Sequence, residues 1–185
     1  MLTKIQLERM LRSESSLLTN NGRSELNIAS VLIILFFKKN NLHVILTKRS
    51  GNLRNHAGEI SFPGGVFSPE DKFIINTAIR ETREEIGIIV PKKLILRKLD
   101  EVFTSNSKYK IIPYIALLDR IPNTITSIEV EKVFAPPLLK LFKTIEFYGG
   151  YQSESEFLRY IYEGEVIWGA TARILHQLSR FIRPC

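Results

Sequence analysis

The stretch from Asp71 to Gly87 constrains the fold more than any other part of the chain. At about 100° of rotation per helical residue, Ala78, Ile79, Thr82 and Ile86 fall within about 60° of Ile75. They form an apolar stripe that must be covered, so the spacing predicts a helix over about Asp71 to Ile86 lying on a core. Gly87 supplies a residue suited to the left-handed turn that ends a helix. The flanking segments read as strands: Ile28 to Phe37, Leu42 to Thr47, Leu94 to Phe103, Ile111 to Leu118, Ile128 to Phe134, Ile145 to Tyr148 and Leu158 to Tyr162. Helices are expected at about residues 3 to 18 and from Ile167 to Ile182. Strands mixed with two or three helices predict an α/β fold, a sheet covered by helices.

The same helix concentrates acid. Glu81, Glu84 and Glu85 gather on the edge away from the apolar stripe, at about 180° to 280° from Ile75. Like charges this close weaken a bare helix by a few tenths of a kcal/mol, roughly, per pair. A solvated acidic face balanced by Arg80 and Arg83 is the plain explanation. A hard divalent cation is the functional one, because Mg²⁺ or Mn²⁺ takes carboxylate oxygens and bridges to phosphates. The turn Pro63-Gly64-Gly65 just upstream favours the second, since glycine lets backbone N–H groups approach phosphate oxygens.

Immediately before that turn runs a basic segment, Leu46-Thr47-Lys48-Arg49-Ser50, then Leu53-Arg54-Asn55-His56-Ala57-Gly58-Glu59-Ile60-Ser61-Phe62. Lys48, Arg49 and Arg54 are suited to neutralising phosphates, arginine with two-pronged geometry. His56 can donate a hydrogen bond or titrate near neutrality. A solvated loop with a satisfied histidine is the bland alternative. Phe67, Tyr109 and Tyr114 are aromatic candidates for a ligand, although strand aromatics are more often core.

Composition narrows the classes. The 185 residues, 44% apolar and 24% charged, suit one domain spanning 1–185, with about 1–27 as an N-terminal helical extension. The net charge of +7 favours anionic partners. The single cysteine, Cys185, rules out an intramolecular disulfide and a cysteine-rich zinc site, and is compatible with a cytoplasmic location. The apolar run Ile28 to Phe37 is far shorter than the roughly 20 residues that cross a bilayer. Residues 1 to 12 carry charges between isolated apolar positions, unlike a signal peptide.

Taken together, Gly65, Asp71, Arg80-Glu81, Glu84-Glu85, Gly87 and Ile88 resemble the Nudix box, G-x5-E-x7-R-E-U-x-E-E-x-G-U with U aliphatic. Three positions depart: Asp71 stands for Glu, eight residues instead of seven separate it from Arg80, and Thr82 takes an aliphatic place. The basic segment running into Phe62-Pro63-Gly64-Gly65 is similar to the signature of the coenzyme A pyrophosphatase branch, which shares the longer spacing and often the Asp. Ile167-Trp168-Gly169-Ala170-Thr171-Ala172 and the helix after it are similar to that branch's ending. The resemblance covers roughly residues 28 to 182.

It implies an α/β/α sandwich with a mixed sheet and a loop-helix-loop catalytic motif. The implied reaction is hydrolysis of coenzyme A, or its oxidised or acyl derivatives, to 3′,5′-ADP and 4′-phosphopantetheine with Mg²⁺ or Mn²⁺. Glu81 and Glu85 are assigned as metal ligands, and Glu84 as a further ligand or the base. Arg80 is its orienting partner. Gly64 and Gly65 shape the phosphate turn, and Lys48, Arg49, Arg54 and His56 recognise substrate. The expected partner is a small molecule, with no membrane and with a homodimer left open. Rival readings are a hydrolase of ADP-ribose, dinucleotides or nucleoside triphosphates, and an inactive nucleic-acid-binding module on the same scaffold. The intact set of glutamates disfavours the last.

Overall fold

The computed structural model describes residues 3–12, 27–52, 56–104, 109–120, 122–148 and 158–182. Thr3 opens the first helix, α1 (Lys4–Leu11), through a capping box: its hydroxyl accepts from Gln6 N at 3.2 Å, and its own N–H donates to the Gln6 side chain at 2.9 Å. Arg12 turns extended, so the helix stops short of the expected span, whose end lies outside the described residues.

Strand β1 (Asn27–Lys38) turns through Lys39 and Asn40 into β2 (Asn41–Val44), and β3 (Leu46–Arg49) follows after a break at Ile45. The sequence predicts β2 and β3 as one strand. They separate because the Ile45 N–H still pairs with Ile34 of β1, whereas Leu46 to Arg49 pair with another sheet. Next come β4 (Ile60–Ser61) and β5 (Gly64–Val66), a 3-10 turn at Pro69–Asp71, and α2 (Ile74–Ile86). This helix starts three residues later than expected. Asp71 instead uses its side chain to accept from Ser68 N, and Lys72 has a positive φ of 62° that interrupts helical geometry.

The expected strand from Leu94 to Phe103 is a 3-10 turn at Lys92–Leu94 with two short strands, β6 (Ile95–Lys98) and β7 (Val102–Phe103). Beyond them lie β8 (Tyr109–Leu118), β9 (Val130–Phe134), α3 (Leu138–Phe142), β10 (Glu146–Phe147), β11 (Leu158–Tyr162), β12 (Glu165–Ile167) and α4 (Gly169–Phe181). The sequence reading did not anticipate α3 or β12. The first is a single short helix behind Pro136-Pro137. The second closes a hairpin through Glu163-Gly164, both at positive φ, a two-residue turn that could have been recognised.

The central sheet is mixed, in the order β2-β1-β8-β6. β1 and β8 run parallel, β5 adds to the N-terminal half of β1 and β7 to β8. The alternation along β1 divides the interior in two. Leu32, Ile34 and Phe36 pack with Ile74, Ile75, Ala78 and Ile86 of α2. Ile33 and Leu35 share the opposite cluster with Leu7 and Leu11 of α1 and Leu175 and Leu178 of α4. Helices therefore cover both faces of the sheet, giving an α/β/α sandwich. Two smaller sheets, β4-β3-β9 and β10-β11-β12, complete the architecture. Among the described residues, no helix is long and apolar enough to cross a membrane.

Candidate active site

The helix α2 is fixed along its length before any chemistry is added. Ala78, Thr82 and Ile86 are fully buried beneath it, and the Thr82 hydroxyl donates to Ala78 O at 2.7 Å. That internal bond lets a polar residue occupy an aliphatic place. At its end Gly87 adopts φ 71°, and its N–H donates to Arg83 O. The N–H groups of Ile125 and Ser127 then donate to Ile86 O and Glu85 O, at 3.0 and 2.9 Å. The loop after β8 thus satisfies carbonyls that the helix end leaves open.

Gly64 and Gly65 sit on β5 between β1 and this helix. A Cβ on Gly64 would lie 2.2 Å from Ser30 O and 2.6 Å from Val31 Cα, so only glycine fits against β1. A Cβ on Gly65 would meet the Glu81 carboxylate at 2.5 Å. The Gly64 N–H donates to Glu85 Oε2 at 3.2 Å. The glycine turn and the acidic edge are therefore in direct contact.

The carboxylates separate into two groups. Arg80 donates from Nε and Nη2 to Asp71 at 2.8 and 3.0 Å, and from Nη1 to Glu81 at 2.7 Å and Glu84 at 2.9 Å. Asp71 is buried, also accepts from Thr77 at 2.8 Å, and is held below the usual carboxylate range chiefly by Arg80. It anchors the arginine that spans Glu81 and Glu84. Glu85 stands apart, 7% exposed, with Arg49 Nη1 at 3.8 Å from Oε1. Burial, opposed by the Gly64 N–H and Arg49 and reinforced by Glu81 and Glu129, pushes its carboxyl up to about 7.

Among the described residues, no three His, Cys, Asp or Glu side chains close around a common point. Arg80 holds Glu81 and Glu84 instead. In donor chemistry the site nevertheless suits a hard divalent ion. The buried Glu85 carboxyl and the Glu81 carboxylate offer oxygen donors beside the glycine turn, with Glu84 one turn along the helix.

The basic segment is divided by its strand. Adjacent residues on β3 point to opposite faces, and a register shift lies between Lys48 and Arg49. Lys48 reaches Glu165 at 2.7 Å and Glu131 at 3.6 Å, so it is occupied away from Glu85, whereas Arg49 faces that residue. His56 is exposed, at φ 56°, with Nδ1 3.0 Å from Glu59 Oε2. Arg54 lies outside the described residues. Tyr114 is fully buried core, and Phe67 is partly buried against the α2 cluster.

Glu129 was not anticipated, being one of two exposed-looking acids, with Glu131, around the start of β9. Its nearness to Glu85 arises because its carbonyl accepts from Ser50 N just beyond β3. A cleft of about 790 Å³ flanks another edge of α2, its lining including Asp71, Asn76, Ile79, Arg80, Arg83 and Glu84. Neither Glu81 nor Glu85 lines it, and the Gly64–Glu85–Arg49 edge is the stronger site because backbone donors, buried acid and cation meet there.

The chain is similar to known proteins. A NUDIX domain model matches residues 26–135. The uncharacterized Nudix hydrolase NudL of Photorhabdus laumondii is 37% identical over 147 residues, covering 76% of this chain and 77% of that protein. Its namesake in Yersinia enterocolitica is 34% identical over 146 residues, covering 74% and 72%. Among solved structures, a MutT/nudix family protein from Enterococcus faecalis superimposes with a TM-score of 0.62 at 14% identity, covering 97% of this chain and 74% of that one. The NUDIX domain of Shewanella oneidensis NrtR, solved with ADP ribose, gives 0.54 at 20% identity over 66% and 79%. The last two show the fold alone; the domain match and the sequence identity of the relatives establish that the chain belongs to the Nudix hydrolase family.

Proposed function

We propose that this Nudix hydrolase cleaves the pyrophosphate bond of coenzyme A or a derivative of it, yielding 3′,5′-ADP and the 4′-phosphopantetheine portion. The observation that carries the reading is the meeting of Arg49, Gly64 and Glu85. The segment resembling the coenzyme A branch signature supplies the first two, and the general box supplies the third. Hydrolysis adds one water across the P–O–P bridge: oxygen attaches to one phosphorus, the bridging oxygen leaves with the other, and the proton from water must be removed.

Glu81 and Glu85, on one edge of α2, are the proposed ligands of Mg²⁺ or Mn²⁺. Such an ion, when bound, screens phosphate charge and raises the acidity of water. Glu84 is the proposed proton acceptor or a further ligand, and Arg80 orients it at 2.9 Å. Asp71 holds the other side of that guanidinium. Gly64 and Gly65 let the backbone come close to the diphosphate. Arg49, Arg54 and His56 are the proposed recognition groups. Lys48 belongs to this set only if substrate draws it from Glu165.

Mass spectrometry of coenzyme A incubated with the protein and Mg²⁺ tests the reading directly. Both fragments should appear together, faster than products from ADP-ribose at the same concentration. Intact coenzyme A beside hydrolysed ADP-ribose would overturn the substrate assignment.

A further inference from the structure

We propose that Arg49 is the resident counter-cation of Glu85, standing in for a divalent ion and exchanging its carboxylate partner for a substrate phosphate when the ion arrives. The inference rests on the metal-dependent reading above and adds a coupling between metal and diphosphate.

Its basis is an arginine that is delivered but not committed. The break at Ile45 carries β3 out of the central sheet, and the irregularity beside Arg49 sets its side chain against α2. Such irregularities re-aim side chains beside active sites. There Nη1 lies 3.8 Å from Glu85 Oε1, close enough to attract and too far for a hydrogen bond. Arg49 Nε is buried and has no hydrogen-bond partner among the described residues. A buried N–H without a partner is costly, so an anion able to reach this guanidinium is favoured beyond simple charge attraction. Glu85 Oε2 accepts from Gly64 N. Oε1 faces Arg49 and is the oxygen for which the guanidinium and an incoming ion compete.

The two cations repel at this range, so an ion that takes Oε1 displaces the guanidinium. Arg49 then needs another anion, and the phosphates beside the glycine turn supply it. Each ligand consequently assists the other, and by linkage the assistance is mutual.

The test is Mn²⁺ binding by calorimetry near pH 8, with and without methylenediphosphonate as a non-hydrolysable probe, for the wild-type chain, Arg49→Gln and Arg49→Lys. Arg49→Gln should bind Mn²⁺ alone roughly tenfold more tightly, since a like charge has gone, and Arg49→Lys should stay near wild type. The diphosphonate should tighten Mn²⁺ binding more in wild type than in Arg49→Gln. Unfolding of each metal-free variant checks that the fold is intact. Mn²⁺ binding by Arg49→Gln that is unchanged or weaker would overturn the exchange alone. A wild-type chain that binds no Mn²⁺ would remove the metal reading as well.

Discussion

Glu85 and Asp71 are both buried acids within one site, yet their surroundings drive them in opposite directions. Glu85 is raised to about 7, mainly by burial, so the folded, metal-free protein holds a proton more tightly than the unfolded chain. Its contribution is fully present below the ordinary carboxylate value near 4.5 and is lost as pH rises to about 7. At about 1.4 kcal/mol per pH unit, the loss is on the order of 3 kcal/mol. Glu85→Gln should therefore raise metal-free stability at pH 8 relative to wild type and flatten the decline between pH 5 and 8, as read by urea unfolding, while nearly abolishing turnover. Asp71 is lowered, mainly by Arg80, so its contribution is present above the ordinary value and is lost as pH falls through the folded one. Asp71→Asn removes the charge that anchors Arg80 and leaves the guanidinium paired with Glu81 and Glu84 alone. It should cost about 2 kcal/mol in denaturant unfolding, and reduce kcat about tenfold through a loosened Glu84, with KM changing less.

At the scale of elements, the contact between β5 and α2 makes two neighbouring glycines behave differently. Gly64→Ala drives a methyl into Ser30 O and Val31 backbone of β1, which cannot withdraw without unpairing the strands. A loss of about 3 kcal/mol is expected. The nearest atoms to a methyl at Gly65→Ala are instead those at the end of the Glu81 side chain. Thermal unfolding should change little while kcat/KM falls at least about tenfold, because Glu81 is displaced. Equal thermal penalties for the two variants would show that β5 does not discriminate between a backbone and a side-chain neighbour.

For the whole molecule, the sandwich separates the chemistry from much of its support. Leu7 and Leu11 of α1 are fully buried on the face of the sheet away from α2. Leu11→Ala should cost roughly 2–5 kcal/mol and lower the melting temperature, yet kcat at 20 °C should match wild type. A parallel fall in kcat under fully folded conditions would mean that the sheet transmits strain between its faces.

The amphipathic spacing of α2, the clustering of Glu81, Glu84 and Glu85, and the glycine turn were determined by the sequence alone. Helical periodicity and glycine geometry are local properties, readable from neighbours in the chain. The long, largely apolar runs of β1 and β8 were legible for the same reason. Tertiary structure alone decided that Asp71 and Arg80 form the anchor, that Lys48 turns to Glu165 while Arg49 turns to Glu85, and that Glu129 joins the site. The first follows from the turn at Pro69–Asp71, which folds Asp71 back onto α2; the other two depend on where β3 leaves the central sheet and which strand it meets, a choice among long-range pairings. Charge and burial at Glu85 follow from that choice, because an electrostatic field is set by distance through space and not by separation along the chain.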